Sequence, residues 1–252
     1  AAKYAVGVGS GTSALYLALR SIGVKQGDEV ITTPLTWIMT LNAIAACGAI
    51  PICVDVNEDF NINPEKINEA ITEKTKAIVP VHFTGLMCQM DRIEKIAKKN
   101  NIKIVEDAAQ AFGAKYKGRE VGSFSNVAAF SFNVMKNVGG FGEAGAVTTD
   151  NKKIYNMVKM LRYAGTKSDV KKIITNECYH ITLNHKINTI QAAMLLVSLK
   201  HFKKRMKRRV QIANIYNREL SKFVTCPKIG PSGTTHGLYT YAIQTNNRNE
   251  LM

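Results

Sequence analysis

The segment Ile104-Val105-Glu106-Asp107-Ala108-Ala109-Gln110 is a short apolar run that ends in two acidic residues and continues into small ones. We predict that it is a buried strand with Asp107 at its carboxyl end, which is where ligands bind in parallel α/β sheets. A carboxylate at that position can pair with a pyridinium nitrogen and keep the ring an electron sink. It can also cap a following helix, so the segment alone leaves both roles open.

Strand-like and helix-like segments alternate on both sides of this stretch. Apolar or β-branched runs lie at 4–8, 29–33, 49–56, 76–83, 102–107, 127–132 and 145–149, and helical patterns lie at 13–22, 37–47, 64–71 and 91–99. Asn63 before Pro64 is a helix-start signal, and Asp91 with Glu94 resembles a capping box. This order predicts an α/β fold with a mostly parallel central sheet flanked by helices.

The character of the chain changes near residues 187 and 224. The first change begins a long basic helical pattern, whose apolar positions recur at helical spacing and predict one packed side: Ile187, Ile190, Ala193, Met194 and Val197. We predict a large α/β domain over 1–186, a connecting helical region over 187–223, and the start of a smaller C-terminal α+β domain over 224–252, with a strand at 238–243. The chain opens at Ala1 rather than at a methionine, so we expect a fragment of a longer protein.

The formal net charge of +15 is compatible with a nucleic-acid partner. The densest basic stretch, His201 to Arg209, is accompanied by neither zinc-finger spacing nor an aromatic RNA-binding signature. We therefore expect a solvated helix face and no nucleic-acid partner. No segment is long and apolar enough to span a bilayer, and we expect no membrane partner.

The cysteines and histidines give no metal-binding pattern. Five cysteines are scattered and never spaced as CxxC, which favours free thiols in a reducing cytoplasm over disulfides or zinc. Five histidines show neither HxH nor HxxxH spacing. We expect a cytoplasmic protein without a metal site.

A glycine-rich turn near the N-terminus joins a strand to a helix. In this turn, Gly7 to Leu15, exposed amides, the helix dipole and the hydroxyls of Ser10, Thr12 and Ser13 favour an anion. It matches neither the dinucleotide fingerprint nor the Walker loop. A phosphate site and a plain tight turn are the two readings.

Lys136 lies between an apolar strand and a glycine-rich run, Gly139 to Gly145. Removal from water there favours the neutral, nucleophilic amine that forms a Schiff base with an aldehyde cofactor, although a solvated loop lysine is the alternative. Trp37, the only tryptophan, can stack on a flat cofactor ring or be buried in the core. A lysine, a strand-end aspartate and a phosphate turn are the anchors of a pyridoxal phosphate site.

Taken together, these segments resemble the DegT/DnrJ/EryC1/StrS family of pyridoxal-phosphate-dependent aminotransferases, which act on nucleotide-linked keto sugars. The matching segments occur in order over nearly the whole chain, at 10–15, 36–37, 80–85, 106–110, 130–137, 184–193 and 248–251. The resemblance implies a fold-type I transferase that binds pyridoxal 5'-phosphate (PLP), forms a homodimer and uses glutamate as amine donor. Its products would be amino sugars for cell-surface glycans or antibiotics.

The resemblance also implies a role for individual residues. Lys136 is similar to the lysine that holds the cofactor and moves protons, and Asp107 to the partner of the pyridine nitrogen. Gln110 corresponds to a residue near the ring hydroxyl, and Trp37 to the ring-stacking residue. The phosphate site corresponds to Gly11, Thr12, Ser13 and Ser131, together with Asn184, which reaches the phosphate across the dimer interface.

The sequence departs from the family at a few positions. Asn133 stands where members often have histidine or tyrosine, and His185-Lys186 replaces a common Tyr-Arg pair. Lysine cannot reproduce the bidentate fork of arginine. Lys136 argues against the family branch that has histidine there and performs dehydration. The alternatives are another fold-type I PLP enzyme acting on amino acids, and a non-catalytic binding protein with the same fold.

Overall fold

The computed structural model describes residues 2–166, 177–230 and 233–251. Its strands are β1 (Tyr4–Val8), β2 (Glu29–Thr32), β3 (Ile50–Cys53), β4 (Thr75–Ile78), β5 (Lys103–Asp107), β6 (Lys115–Tyr116), β7 (Arg119–Glu120), β8 (Val127–Ser131) and β9 (Gly145–Thr149). Its helices are α1 (Gly11–Ser21), α2 (Met39–Ala46), α3 (Pro64–Glu69), α4 (Met90–Lys99), α5 (Lys152–Arg162), α6 (Thr189–Leu220) and α7 (Arg248–Leu251).

The central sheet has seven strands in the order β1-β9-β8-β5-β4-β2-β3. Strands β8, β5, β4, β2 and β3 are parallel to one another, whereas β9 is antiparallel to both of its neighbours. The prediction of a mostly parallel α/β sheet is confirmed. Because β5 and β8 are adjacent and parallel, their carboxyl ends meet at one edge of the sheet.

Helices cover both faces of this sheet. Neighbouring residues of a strand point to opposite faces, and Val30 and Ile31 accordingly belong to different buried clusters. Val30 packs with residues of α1 and α2, while Ile31 packs with residues of α3 and α4. The continuous apolar runs of the sequence are thus explained by burial on two sides.

Helix starts were predicted with mixed success. Asn63 caps α3 as expected, since its side chain accepts the Glu65 N–H at 2.9 Å. The capping box predicted at the start of α4 is wrong, because the helix begins at Met90 and its N-cap makes no side-chain hydrogen bond. Asp91 instead accepts hydrogen bonds from Tyr116 and Lys117 of the β6–β7 hairpin.

The C-terminal part differs more from the sequence prediction. Helix α6 matches the predicted helical region, but its packed side is not the predicted one: Ile190 and Val197 are 68% and 53% exposed, and Leu195 is buried instead. Its basic residues are mostly exposed, as expected of a solvated face. The predicted strand at 238–243 is wrong, because that segment is irregular and its backbone hydrogen-bonds to a loop, as from the Thr240 N–H to Thr84 O.

Within residues 2–166, 177–230 and 233–251, no helix combines the length and apolarity that crossing a membrane requires.

Gly145 at the start of β9 provides a test of the packing that holds α1 against the sheet. A Cβ added at Gly145 would lie 2.3 Å from Ser10 O and 2.8 Å from Phe130 O, both backbone atoms. We expect Gly145→Ala to lower the free energy of unfolding in urea by about 3 kcal/mol, the upper range for overpacking. Gly7→Ala is the matched control, because its Cβ would meet only the side-chain methyl Cγ2 of Ile187 at 3.3 Å. Equal stabilities of the two variants would contradict this account.

Candidate active site

A cavity of about 530 Å³ lies at the carboxyl ends of β5 and β8, between the N-termini of α1 and α2 and the loop that follows β8. Seven of the nine predicted site residues line it: Gly11, Thr12, Trp37, Asp107, Gln110, Ser131 and Lys136. The other two, Ser13 and Asn184, are not among its lining residues. Residues predicted from separate motifs therefore share one concave site.

The first turn of α1 forms one end of the cavity. Ser10 has an extended backbone and caps the helix, since its Oγ accepts the Ser13 N–H at 3.0 Å. A Cβ on Gly11 would lie 2.6 Å from the Cβ of Ser131, so only glycine allows the turn and the end of β8 to approach this closely. With no acidic residue in the first turn, the free amides and the helix dipole favour an anion there.

Asp107 ends β5 with its side chain in the cavity wall. Its Oδ2 accepts a hydrogen bond from the Thr40 hydroxyl at 2.8 Å, and its Oδ1 accepts the Ala109 N–H at 3.1 Å. Burial raises the pKa of Asp107 despite these two hydrogen bonds. Among the described residues, no lysine, arginine or histidine forms an ion pair with Asp107. A cationic group entering the cavity would therefore stabilise the carboxylate.

Glu106 points to the opposite face of the same strand. It is fully buried, with His82 Nε2 at 3.1 Å and hydrogen bonds from the Gly122 and Phe124 amides. Burial raises its pKa, but the hydrogen bond from His82, together with the Gly122 amide, outweighs it and leaves the pKa lowered. His82 Nδ1 accepts the Cys88 N–H, which places the ring proton on Nε2 towards Glu106. This pair is a satisfied structural feature away from the cavity.

Trp37 lies at the rim of the cavity and is 69% exposed. The alternative that the lone tryptophan is a core residue is therefore wrong. An indole at a cavity rim presents a flat apolar face to whatever enters. Gln110 is half-buried in the wall beyond Asp107.

Lys136 is carried by the loop between β8 and β9. Asn133 makes two hydrogen bonds within this loop. Its carbonyl accepts the Lys136 N–H at 2.8 Å, and its side-chain amide donates to the Glu143 carboxylate. Asn133 and Glu143 also line the cavity. The Lys136 Nζ lies 4.3 Å from the ring centroid of Tyr239, a cation–π distance.

Tyr239 is the site residue that the sequence reasoning missed. It belongs to the segment 235–241, which was predicted partly as a strand. The Asn137 side chain donates to Gly237 O at 2.5 Å, and Gly237 N–H donates to Gly85 O at 2.7 Å. Tyr239 reaches the site because its segment is held by Asn137, a residue 100 positions from Gly237 in the chain. No local sequence pattern indicates such a contact. Thr40 was also missed, although it lies one helical turn after Thr36, to whose hydroxyl its own is hydrogen-bonded.

The two predicted residues outside the cavity have defined surroundings. The Ser13 hydroxyl lies behind the turn, 3.1 Å from Ser10 Oγ and 3.0 Å from His185 Nδ1. Asn184 is exposed, and its Oδ1 accepts the Lys186 N–H at 3.3 Å.

The chain is similar to proteins of one known family. The model of the DegT/DnrJ/EryC1/StrS aminotransferase family matches residues 1–252. A relative named dTDP-3-amino-3,4,6-trideoxy-alpha-D-glucose transaminase, from Streptomyces venezuelae, is 38% identical over 98% of this chain and 64% of its own length. The resemblance identified from the sequence motifs is confirmed.

Solved structures agree with the fold. DesV of S. venezuelae, in complex with a ketimine intermediate, superposes with a TM-score of 0.93 at 37% identity, over 99% of this chain and 66% of DesV. NtdA of Bacillus subtilis with bound cofactor PMP superposes with a TM-score of 0.90 at 32% identity, over 100% of this chain and 57% of NtdA. The chain spans 58–67% of the length of the curated relatives it matches.

The segment that carries Tyr239 gives a pH-dependent test. His236 is buried, which lowers its pKa to about 4, and its Nδ1 accepts the Leu238 N–H at 2.8 Å. Above about pH 6.5 both folded and unfolded chains hold a neutral ring. As the pH falls from there towards 4, the unfolded chain binds the proton first, so stability is lost, by roughly 3 kcal/mol in all.

We expect this loss to be absent in His236→Asn, which keeps an acceptor for Leu238 but does not titrate. The measurement is the urea-unfolding free energy of both proteins at about pH 7.5 and 4.5, and the wild type should lose roughly 2–3 kcal/mol more. Parallel losses in the two proteins would show that His236 is not buried as a neutral ring.

Proposed function

Because the chain belongs to the DegT/DnrJ/EryC1/StrS aminotransferase family, we propose that the protein is a PLP-dependent aminotransferase. It transfers an amino group from glutamate to a keto sugar linked to a nucleotide, in the biosynthesis of an amino sugar. The observation that carries the proposal is that Lys136, Asp107 and the first turn of α1 line one cavity.

The residues present fit the cofactor. Asp107 is a buried carboxylate that has a raised pKa and lacks an ion-pair partner among the described residues. The positive charge of a protonated ring nitrogen would stabilise this carboxylate. Gly11 and Ser131 lie so close together that Gly11 could not carry a Cβ. Together they form a concave surface at a helix N-terminus, which is suited to a phosphate. Trp37 offers a ring face, and Lys136 lines the same cavity.

When bound, PLP supplies an electron sink for the negative charge that develops at the substrate carbon. Lys136 would supply the amine that holds the cofactor, and its Nζ would act as general base and acid, moving a proton between the substrate carbon and the cofactor. Asp107 keeps the ring nitrogen protonated, and the Thr40 hydroxyl holds the Asp107 carboxylate in place. Trp37 presents its indole face at the rim of the site.

The substrate class rests on the relatives. The name of the Streptomyces venezuelae relative specifies a dTDP-linked amino sugar, and we propose a nucleotide-linked keto sugar here on that basis. Turnover of a free amino acid acceptor, with none of a nucleotide-linked keto sugar, would instead favour another fold-type I PLP enzyme. Absence of any cofactor adduct would favour a binding protein with the same fold.

We also propose that the enzyme is a homodimer, with Asn184 of the partner subunit completing the phosphate site. Asn184 is exposed, and the flanking side chains Ile181 and Leu183 are 89% and 73% exposed, which is unusual for a monomer surface. The five cysteines form no disulfide, which supports a cytoplasmic location. The domain division at 186/187 and 223/224 remains a prediction.

The first test is an absorbance spectrum of the full-length protein with PLP, followed by borohydride reduction and peptide mass mapping. We expect a visible band that glutamate bleaches and a reduced adduct on Lys136, because among the lysines in the described part of the chain that residue alone lines the cavity. Lys136→Ala is the control and should give no adduct at the corresponding peptide. An adduct at another lysine, or no band, would sink the catalytic assignment.

A mixing experiment tests the dimer and Asn184 together. Lys136→Ala and Asn184→Ala should each have low activity alone. A mixed dimer has one site with native Lys136 from one subunit and the native Asn184 of the partner subunit. Co-expression should restore about a quarter of wild-type activity, because half of randomly paired dimers are mixed and each has one intact site. Activity no higher than the average of the two variants would refute a shared site.

A further inference from the structure

Two threonine hydroxyls follow Asp107 in series along the cavity wall. Thr40 Oγ1 lies 2.8 Å from Asp107 Oδ2, and Thr36 Oγ1 lies 2.7 Å from Thr40 Oγ1. All three residues line the cavity, and Thr40 and Asp107 are buried whereas Thr36 is half-buried. The contact between Thr40 and Asp107 is therefore complete within one chain and does not depend on a partner subunit.

The number of protons fixes the direction of these hydrogen bonds when Asp107 is ionised. A carboxylate only accepts, and each threonine hydroxyl has one proton to donate. Two oxygens 2.8 Å apart need a proton between them, so the Thr40 proton points to Asp107 Oδ2. Thr40 then has no proton left for Thr36, so Thr36 must donate in the 2.7 Å contact between the two hydroxyls.

This order of donation, from Thr36 to Thr40 to Asp107, favours the charged form of the carboxyl. A hydrogen bond to a carboxylate is stronger than one to a neutral acceptor, and a hydroxyl that itself accepts a hydrogen bond donates more strongly. Thr40 is the second residue of α2, and the dipole of that helix also favours a negative charge at its first turn. Burial raises the pKa of Asp107, and the Thr40 hydrogen bond is the strongest of the interactions that oppose this.

We propose that Thr36 and Thr40 are positioning residues that donate in series to Asp107 and so keep it ionised for a positively charged ring nitrogen. Thr36 acts through Thr40, because its hydroxyl bonds Thr40 and not the carboxylate. The proposal rests on the proposed function, in which Asp107 pairs with the ring nitrogen of PLP. It adds a second hydroxyl to the site and assigns the pair an effect on the charge of Asp107.

The test compares PLP with its carbocyclic analogue, in which a C–H group replaces the ring nitrogen. Thr40→Val removes the inner hydroxyl at nearly the same size, and Thr36→Val removes only the outer one. We expect Thr40→Val to bind PLP about tenfold more weakly, which is of the order of one hydrogen bond to a charged group. Thr36→Val should bind PLP about twofold to threefold more weakly, because it only weakens the donation by Thr40. Neither variant should bind the carbocyclic analogue more weakly.

Two further variants serve as controls. Thr40→Ser keeps the hydroxyl and should restore the preference for PLP over the analogue. Thr32→Val removes another buried hydroxyl, which donates to Val79 O at 2.9 Å and is not part of the cavity lining. It should leave the binding of both ligands unchanged. If Thr40→Val does not fold, Thr36→Val at its half-buried position provides the same comparison.

The outcomes separate this inference from the proposed function. If the wild type binds no PLP, the proposed function fails and this inference fails with it. If the wild type binds PLP and Thr40→Val weakens PLP and the analogue equally, or weakens neither, only the role of the two threonines is overturned. A Thr36→Val variant that binds PLP as tightly as the wild type would overturn the donation in series.

A second measurement needs no cofactor. The side-chain carboxyl carbon of Asp107 is followed by ¹³C NMR during a pH titration of the protein without PLP, and Asp107→Asn assigns the signal. We expect the pKa of Asp107 to be higher in Thr40→Val than in the wild type, because a hydrogen bond that favours the charged form is lost. Equal titration midpoints in the two proteins would contradict the proposal.

Discussion

The site depends on two adjacent carboxylates of the buried strand β5, Glu106 and Asp107, whose charges are compensated to different extents. A buried carboxylate costs several kcal/mol unless hydrogen bonds or a cation compensate it. At Glu106 an imidazole and two backbone amides do so, and its pKa is lowered. At Asp107 one hydroxyl and one amide do not suffice, and its pKa is raised. The fold therefore satisfies Glu106 by itself and leaves Asp107 to be completed by a positive charge from the cavity.

The residues around Asp107 are assembled from distant parts of the chain. Asn137, next to Lys136, donates to Gly237, and Tyr239 two residues later covers the Lys136 amine. Gly85 is needed at this junction, because its φ is +99° and a Cβ would lie 3.0 Å from the Leu238 and Tyr239 amides. A change in the 235–241 segment would therefore alter the surroundings of the Lys136 amine, although the segment lies outside the sheet.

The part of the site that sequence predicts is the part set by local structure. Gly11 and Asp107 were found because a strand–turn–helix pattern and a strand end carry their own signals, and these signals also predicted the parallel sheet. Tyr239 was missed because its position results from tertiary hydrogen bonds to loops, with no periodicity to detect. The capping box at Asp91 failed for a related reason: a carboxylate near a helix start was used by the Tyr116 hairpin instead.

Leu238 shows why this segment is irregular where a strand was expected. Its φ of +48° lies in the left-handed region, which costs a residue other than glycine about 1–2 kcal/mol. Two hydrogen bonds offset that cost, from the Leu238 N–H to His236 Nδ1 and from Arg209 to the Leu238 carbonyl. The reversal of the chain at Leu238 places Tyr239 over the lysine, which a regular strand with alternating side chains would not do. Strain of this kind is typical of functional sites, and here a neutral His236 is the condition for maintaining it.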